Sequence, residues 1–147
     1  MPFLPLVVRA RSDDTGGRVE VYELGVPDDR LGIGSGPPPH VHHAHEEAFY
    51  VLEGDFTFQL EGASHAAPTG TLVVVPRDRT HHFTGSPGSR LLVFAIPGGL
   101  AGFFEELGAA HQAGRDDAEI RAELAGRYDS YPMTETKEPA MAPQGLD

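Results

Sequence analysis

The 147-residue sequence contains no cysteine and no tryptophan. Without cysteine, disulfide bonds and thiolate metal ligands are excluded, so any metal ion must be held by nitrogen and oxygen atoms. Basic residues are also few: 11 Lys and Arg stand against 22 Asp and Glu, which gives a formal net charge of −11. Nucleic acids and anionic membranes attract clusters of Lys and Arg, and the sequence has no such cluster, so neither is expected as a partner.

Long hydrophobic runs are missing as well. No apolar run approaches the roughly 20 residues of a membrane-spanning helix. The mildly apolar stretch 1–10 lacks the basic segment and the long apolar core of a signal peptide, so we interpret it as a strand. A length of 147 residues suits one domain with one hydrophobic core. We therefore expect a single-domain cytoplasmic protein.

Glycine and proline are abundant, with 18 and 13 residues, and this is typical of a β protein with many turns. Short β-rich segments recur between these turns. One turn, Glu53-Gly54-Asp55, has the pattern of a tight hairpin and predicts a positive φ at Gly54. The predicted strands are Leu4–Val8, Val19–Val26, His40–His43, Ala48–Glu53, Phe56–Leu60, Thr71–Val75, His81–Thr84 and Leu91–Ile96. This spacing predicts an all-β fold, either a small barrel or a jelly roll.

The composition changes after residue 98. Leu100–Leu107 and Asp117–Tyr128 have helical patterns. In the second, Ile120, Leu124 and Tyr128 form one apolar stripe, and Asp116 is placed to cap the helix. We therefore divide the chain into a β-barrel over residues 1–98, a helical extension packing on the barrel over 99–131, and a Pro-rich tail over 132–147. We expect residues 136–147 to be loosely ordered.

Four residues in the barrel region form a candidate metal site. His40 and His42 are two residues apart in a predicted strand, so their side chains point to the same face. Glu47 begins the next strand, and His81 arrives about forty residues later, where closing a barrel brings it to the same point. Three imidazoles and one carboxylate suit a divalent transition metal that keeps open positions for substrate.

The neighbouring polar residues have a plainer interpretation. Glu46 is the alternative carboxylate, but the spacing from His42 favours Glu47. Three more histidines fall beside the predicted ligands on the other strand face, where they would support the ligands, line the mouth or lie on the surface: His43, His45 and His82. The two remaining histidines, His65 and His111, are expected on the surface.

These residues resemble the two sequence motifs of the cupin superfamily. The first motif is matched at Gly34, His40, His42, Glu47 and Gly54, and the second at Gly70, Pro76 and His81. The second departs at Asp78, where the family usually has Gly, and at Gly85, where it often has Asn. Within the family, the stretches 37–43 and 47–54 are similar to single-domain quercetin 2,3-dioxygenase-like cupins. Pro97-Gly98-Gly99 leading into residues 103–107 is similar to the C-terminal extension of that group.

The resemblance implies a double-stranded β-helix, or jelly-roll barrel, with motifs at 34–54 and 70–85. It also implies one divalent transition metal ion per chain (Mn, Fe, Co, Ni, Cu or Zn), with His40, His42, Glu47 and His81 as ligands. Glu47 would act as ligand and general base toward a small-molecule substrate, with dioxygen as co-substrate in a dioxygenase. Cupins are often homodimers, formed by sheet packing or by exchange of an N-terminal strand such as Leu4–Val8.

Three functions remain open at this point. The first is a dioxygenase acting on an aromatic or enolisable hydroxy-ketone. The second is a non-redox cyclase or isomerase of a polyketide-like molecule, and the third is a metal-containing binding protein without catalysis. For an aromatic substrate, candidate contacts are Phe49 and Val51, which share a strand face with Glu47, and Phe58 and Phe83 from other strands. Ordinary core packing explains such residues equally well.

Overall fold

The fold consists of two antiparallel five-stranded sheets and a pair of helices. The computed structural model describes residues 5–27 and 37–133. Its strands are β1 (Leu6–Ala10), β2 (Glu20–Gly25), β3 (His40–Val41), β4 (Glu46–Glu53), β5 (Asp55–Leu60), β6 (Ala63–Pro68), β7 (Leu72–Val75), β8 (His81–Gly85), β9 (Arg90–Ile96) and β10 (Tyr131–Pro132). One sheet has the order β1-β2-β9-β4-β7 and the other has the order β10-β3-β8-β5-β6. A short 3-10 helix spans Ser12–Thr15, and the two α-helices are α1 (Ala101–Gln112) and α2 (Asp117–Tyr128).

The hydrophobic core lies between the two sheets. Alternate residues of β4 and β9 point inward, so Phe49, Val51, Leu91 and Val93 are buried. They pack against Phe56, Phe58 and Phe83 from the facing sheet. This packing confirms the expected small β-barrel with a jelly-roll arrangement and C-terminal helices.

The predicted strands are present with ends shifted by one or two residues, where the structure describes them. Leu4, Gly34 and the expected loose tail from residue 136 onward lie outside the described residues. The sequence did not predict β6, because Ala, Ser and His have little strand preference and only Ala67 of this edge strand is buried. It also did not predict the two-residue β10, which pairs with β3 and places Pro132, the first residue of the expected tail, in a strand.

Two glycines allow close approach of neighbouring side chains. Gly54, in the turn between β4 and β5, has φ of 87°, and a Cβ there would lie 1.9 Å from Ser89 Oγ. A Cβ at Gly85 would lie 2.6 Å from Cε2 of Phe56. The departure from the family pattern at Gly85 therefore makes room for an aromatic ring. Asp78 adopts the left-handed backbone, with φ of 68°, that its position in the motif predicts.

The helices form a second hydrophobic cluster. α2 has the predicted bounds, and the Asp116 side chain caps it by accepting the Glu119 N–H. The predicted stripe of Ile120 and Leu124 is buried against Phe103 and Leu107 of α1, which ends five residues later than expected. Neither helix has the length and apolar character needed to cross a membrane.

The first turn of α1 is held by a strand residue. Glu20 in β2 is buried, and its Oε1 accepts the backbone N–H groups of Gly99, Leu100 and Ala101 at 2.8–2.9 Å. Leu100 occupies the N-cap position and has no side-chain acceptor of its own. A carboxylate at a helix N-terminus satisfies free N–H groups and opposes the positive end of the helix dipole. Glu20 thereby fixes α1 against the barrel.

Candidate metal centre

The two sheets bring the four predicted ligands to one point. His40 of β3 is directly opposite His81 of β8 in the strand register. His42 lies one residue beyond β3, and Glu47 reaches the same space from β4 in the other sheet. The ligand atoms of these residues all lie within 4.8 Å of one another. Strand parity and barrel closure therefore produce the cluster that the spacing predicted.

The cluster is tight and largely excluded from solvent. Glu47 Oε1 lies 3.1 Å from Nε2 of His42 and 3.1 Å from Nε2 of His81. Glu47, His42 and His81 are buried, and His40 is half-buried. Donor atoms bonded to one transition metal ion at about 2.0–2.2 Å lie roughly 3–4 Å apart. The observed spacing fits a single ion.

The second ring nitrogen of each histidine is committed to the backbone. His40 Nδ1 donates to the carbonyl of Pro38 at 2.9 Å, His42 Nδ1 to Asp129 at 2.7 Å, and His81 Nδ1 to Arg79 at 2.9 Å. Because a carbonyl oxygen only accepts, each Nδ1 carries the proton, and the neutral ring then has its lone pair on Nε2. This arrangement orients the Nε2 atoms as metal ligands.

The side chains of the cluster shift one another's pKa values. Burial raises the pKa of Glu47, but the His42 and His81 rings outweigh this effect and hold the pKa well below its usual value. Burial and the nearby His81 and His42 rings hold the pKa of His40 well below its usual value. Burial opposes the charged form of His42, yet Glu47 raises its pKa.

The donor set fits a divalent cation. Nε2 of His42 is buried and makes no hydrogen bond, although it lies close to Glu47 Oε1. With neutral imidazoles, the short Nε2 to Oε1 contacts bring lone pairs together, and a cation between them would turn this repulsion into coordination. The four residues thus offer three nitrogen donors and one oxygen donor to a divalent transition metal ion.

Asp129 is a supporting residue that the sequence analysis did not identify. It follows α2 in the left-handed conformation, with φ of 55°, and its carbonyl accepts the His42 Nδ1 proton. Its carboxylate accepts the N–H groups of His43 and Ala44 at 2.9 and 2.7 Å, and Nδ1 of His45 lies 2.7 Å away. The residue that follows α2 therefore holds the loop of residues 42–45, here called the ligand loop, from 84 to 87 residues further along the chain.

The remaining candidates lie apart from the cluster. Glu46 is exposed, and His65 is exposed as expected. His43 lies on the surface beside Asp78, with 2.6 Å between Nδ1 and Oδ1. The expected surface position of His111 is wrong: its side chain is 5% exposed, and Nε2 lies 2.7 Å from Asp117 Oδ1, because α2 packs over it.

A partly open cavity adjoins three of the four cluster residues. Its wall is formed by Pro37, His40, His42, Glu47, Leu100, Phe103, Phe104, Arg121 and Ser130. The helical extension therefore supplies most of the wall opposite the cluster. This wall does not include the predicted substrate contacts, which pack in the hydrophobic core: Phe49, Val51, Phe58 and Phe83. Their role in substrate binding stays a prediction.

Comparison with known proteins points to one family. Residues 30–96 match the cupin domain model. The chain is 27% identical over 107 residues to quercetin 2,3-dioxygenase from Bacillus subtilis (strain 168), a match that covers 72% of this chain. The chain spans only 30% of the length of that relative.

Solved structures show the same fold. KdgF from Halomonas sp. superposes with a TM-score of 0.55 at 20% identity, over 64% of this chain and 78% of KdgF. The polyketide cyclase RemF from Streptomyces resistomycificus gives a TM-score of 0.51 at 28% identity, over 63% of this chain and 64% of RemF. The matched domain, the two-sheet barrel and the converging His, His, Glu and His side chains agree with one another, and the chain contains a cupin domain at residues 30–96.

Proposed function

We propose that the protein is a metal-dependent dioxygenase-type oxidoreductase that acts on an aromatic or enolisable hydroxy-ketone. The observation that carries the proposal is the cluster of His40, His42, Glu47 and His81, with oriented Nε2 atoms, in the wall of a mostly apolar cavity. The similarity to quercetin 2,3-dioxygenase supports the choice of oxygen chemistry.

A divalent transition metal held by these residues would supply a Lewis acid for an enolate or phenolate oxygen and, if redox-active, access to oxygen chemistry. The protein's own part is to orient three imidazoles and to accept a proton. Glu47 Oε1 faces His42 and His81, so we assign the second oxygen, Oε2, to accept the proton of a substrate hydroxyl.

The cavity wall would position a flat substrate and exclude water. Leu100, Phe103 and Phe104 come from the start of α1, which Glu20 ties to the barrel. The rings of Phe103 and Phe104 meet edge to face, with centroids 5.3 Å apart. An apolar wall beside a charged cluster strengthens electrostatic interactions at the reacting end of a ligand.

A non-redox cyclase is the second candidate, because the polyketide cyclase RemF is 28% identical over the aligned part. Both candidates need the same metal ligands. They differ in one observable, since a cyclase turns over its substrate without consuming dioxygen.

The test begins with metal-free protein loaded separately with Mn, Fe, Co, Ni, Cu and Zn. Oxygen uptake and product formation are then measured with a panel of flavonols and other hydroxy-ketones. Oxygen uptake that depends on a redox-active metal supports the dioxygenase. Turnover with Zn and no oxygen uptake would replace it with the cyclase, and no turnover with any metal or substrate would count against both.

The ligand assignment is tested with a matched pair of histidine variants. His42→Ala removes a buried cluster residue, whereas His65→Ala removes an exposed side chain on β6. We expect His42→Ala to lose most of its bound metal, measured by elemental analysis, and His65→Ala to retain it. Equal metal content in the two variants would contradict the assignment.

We also propose a homodimer that forms through the outer face of the sheet containing β4. Val21, Phe94, Ala48 and Val74 are neighbours across four strands of this face in the strand register. Leu72 and Val74 are each 57% exposed on its edge strand β7. A contiguous apolar sheet face of this kind is typical of a protein interface, and sheet packing is one of the two modes of cupin dimerisation that the sequence suggested.

A further inference from the structure

One charged residue in the cavity has no part in the metal cluster. Arg121 of α2 lines the same cavity as His40, His42 and Glu47, and its side chain is only 14% exposed. Its guanidinium carbon lies 5.8 Å from the centroid of the Phe103 ring, which is also part of the wall. An arginine stacked on an aromatic wall is a typical recognition group for planar anions.

Arg121 uses one edge of its guanidinium group inside the protein. Its Nε donates to Asp117 Oδ2 at 2.9 Å, and Asp117 Oδ1 lies 2.7 Å from His111 Nε2. Asp117 thereby orients the guanidinium group from one side. A guanidinium carries five N–H groups, and among the described residues only Asp117 is a hydrogen-bond acceptor for it. The terminal NH₂ groups remain for a ligand.

A mostly buried cation with unused donors is costly unless an acceptor completes its hydrogen bonding. The two remaining NH₂ groups match the two oxygens of a carboxylate, because both groups are planar and bind as a fork. The apolar residues that line the same cavity, Phe103, Phe104 and Leu100, suit the hydrocarbon part of the same ligand. The cavity lining therefore combines cluster residues, apolar side chains and one cation.

We propose that Arg121 anchors a carboxylate of the substrate, while the hydroxyl or enol oxygens of the same molecule face the metal centre. Within the class of the proposed function, the substrate is then a hydroxylated aromatic or enolisable compound that also carries a carboxylate. The metal-facing half of this assignment rests on the proposed function. The carboxylate half rests on Arg121 and the cavity alone.

The test compares ligands that differ only in the acidic group. Catechol, 3,4-dihydroxybenzoate and 3-(3,4-dihydroxyphenyl)propanoate are titrated into Zn-loaded protein by calorimetry. The two acids share the chelating end of catechol and place a carboxylate at different distances from it. A charge-assisted hydrogen-bonded pair accounts for about a 10- to 100-fold difference in affinity, so we expect at least one acid to bind that much more tightly than catechol.

The variants Arg121→Gln and Arg127→Gln separate the anchor from general charge effects. Arg127 is also on α2, but its side chain is 56% exposed and pairs with Glu106 at the surface. We expect Arg121→Gln to remove the preference for the acids and to leave catechol affinity unchanged, and Arg127→Gln to change neither. Arg121→Lys retains the charge without the fork and should retain part of the preference, which also covers the case that the glutamine variant does not fold.

Two results would overturn the anchor. One is equal affinity of wild-type protein for catechol and both acids. The other is a loss of catechol affinity in Arg121→Gln as large as its loss of acid affinity, which would indicate a structural role. A third result would separate the two parts of the proposal. If the acids bind through Arg121 but catechol binds only weakly with or without metal, the carboxylate anchor is supported. The same result would contradict the binding of the hydroxyl oxygens at the metal centre, which rests on the proposed function.

Discussion

The most informative perturbation is Asp129→Ala, because this residue links the helical extension to the metal ligands. Its carboxylate receives the backbone N–H groups of His43 and Ala44 and contacts Nδ1 of His45, and its side chain is 16% exposed. Its carbonyl oxygen orients His42. The alanine variant loses all three side-chain contacts. It keeps the backbone carbonyl group that orients His42, but the loop of residues 43–45 is then no longer fixed.

The expected loss of stability follows from these contacts. A hydrogen bond to a charged group contributes about 1.5–3 kcal/mol, but neighbouring bonds are not additive and water can reach part of this loop. We therefore expect the free energy of unfolding to fall by about 2–4 kcal/mol. At about 2–4 °C per kcal/mol for a chain of this size, the melting temperature should fall by roughly 5–15 °C. Metal affinity should fall about 10-fold, since residues that orient metal ligands typically contribute this much.

The effect should depend on pH in a defined direction. Burial raises the pKa of Asp129, but His45 and the two backbone N–H groups outweigh it, so the pKa lies below its usual value. A carboxyl group with a lowered pKa in the folded state stabilises the protein above its unfolded pKa of about 3.9. The difference in free energy of unfolding between wild type and Asp129→Asn should therefore be constant near neutral pH and shrink as pH falls below 4.

The assay combines urea unfolding of the metal-free protein at pH 7 with a Zn²⁺ titration against a chromophoric chelator. Asp78→Ala is the matched control, because Asp78 also has a left-handed backbone and contacts His43 but its side chain is 66% exposed. Both variants place alanine in a left-handed conformation and share that cost in stability. Apart from it, the free energy of unfolding of the Asp78→Ala control should fall by less than about 1 kcal/mol, and the control should bind Zn²⁺ normally. Asp129→Ala with stability equal to the control and unchanged Zn²⁺ affinity would refute the reasoning.

Three further predictions concern other parts of the molecule. Glu20→Ala should lower the free energy of unfolding, measured in urea, by about 2–4 kcal/mol, because three N–H groups at the start of α1 lose their acceptor. Glu20→Gln should lower it less. An alanine variant as stable as wild type would show that α1 does not need this cap. Burial and the adjacent imidazoles hold the pKa of His40 well below its usual value, so the unfolded chain binds a proton below pH 6.5 that the metal-free folded protein does not bind. Stability of the metal-free protein should therefore fall with pH below about 6.5, by at most about 1.4 kcal/mol per unit, and urea unfolding of His40→Asn should lack this component; identical slopes would contradict it. If the proposed homodimer forms, Val74→Glu should convert it to a monomer in light scattering, whereas Thr84→Glu on the other sheet should not. A Val74→Glu variant with the mass of wild type would exclude the proposed face.

The sequence alone determined the features that depend on neighbouring residues. Strand alternation put His40 and His42 on one face, and hairpin geometry required a positive φ at Gly54. The Asp116 cap and the stripe of Ile120 and Leu124 predicted α2 within its observed bounds. In each case the determining interaction spans a few residues, so its pattern is visible in the sequence.

The tertiary structure decided which distant side chains complete the site. Asp129 reaches the ligand loop, Glu20 caps α1 from β2, and Arg121 enters the cavity, although each is separated by about 75 residues or more from the groups it serves. Nothing in the local pattern of α2 distinguishes Arg121 from Arg127, and only the packing of α2 over the barrel places one in the cavity and the other in solvent. Residue spacing encodes local geometry, whereas contacts between layers depend on how the whole core packs.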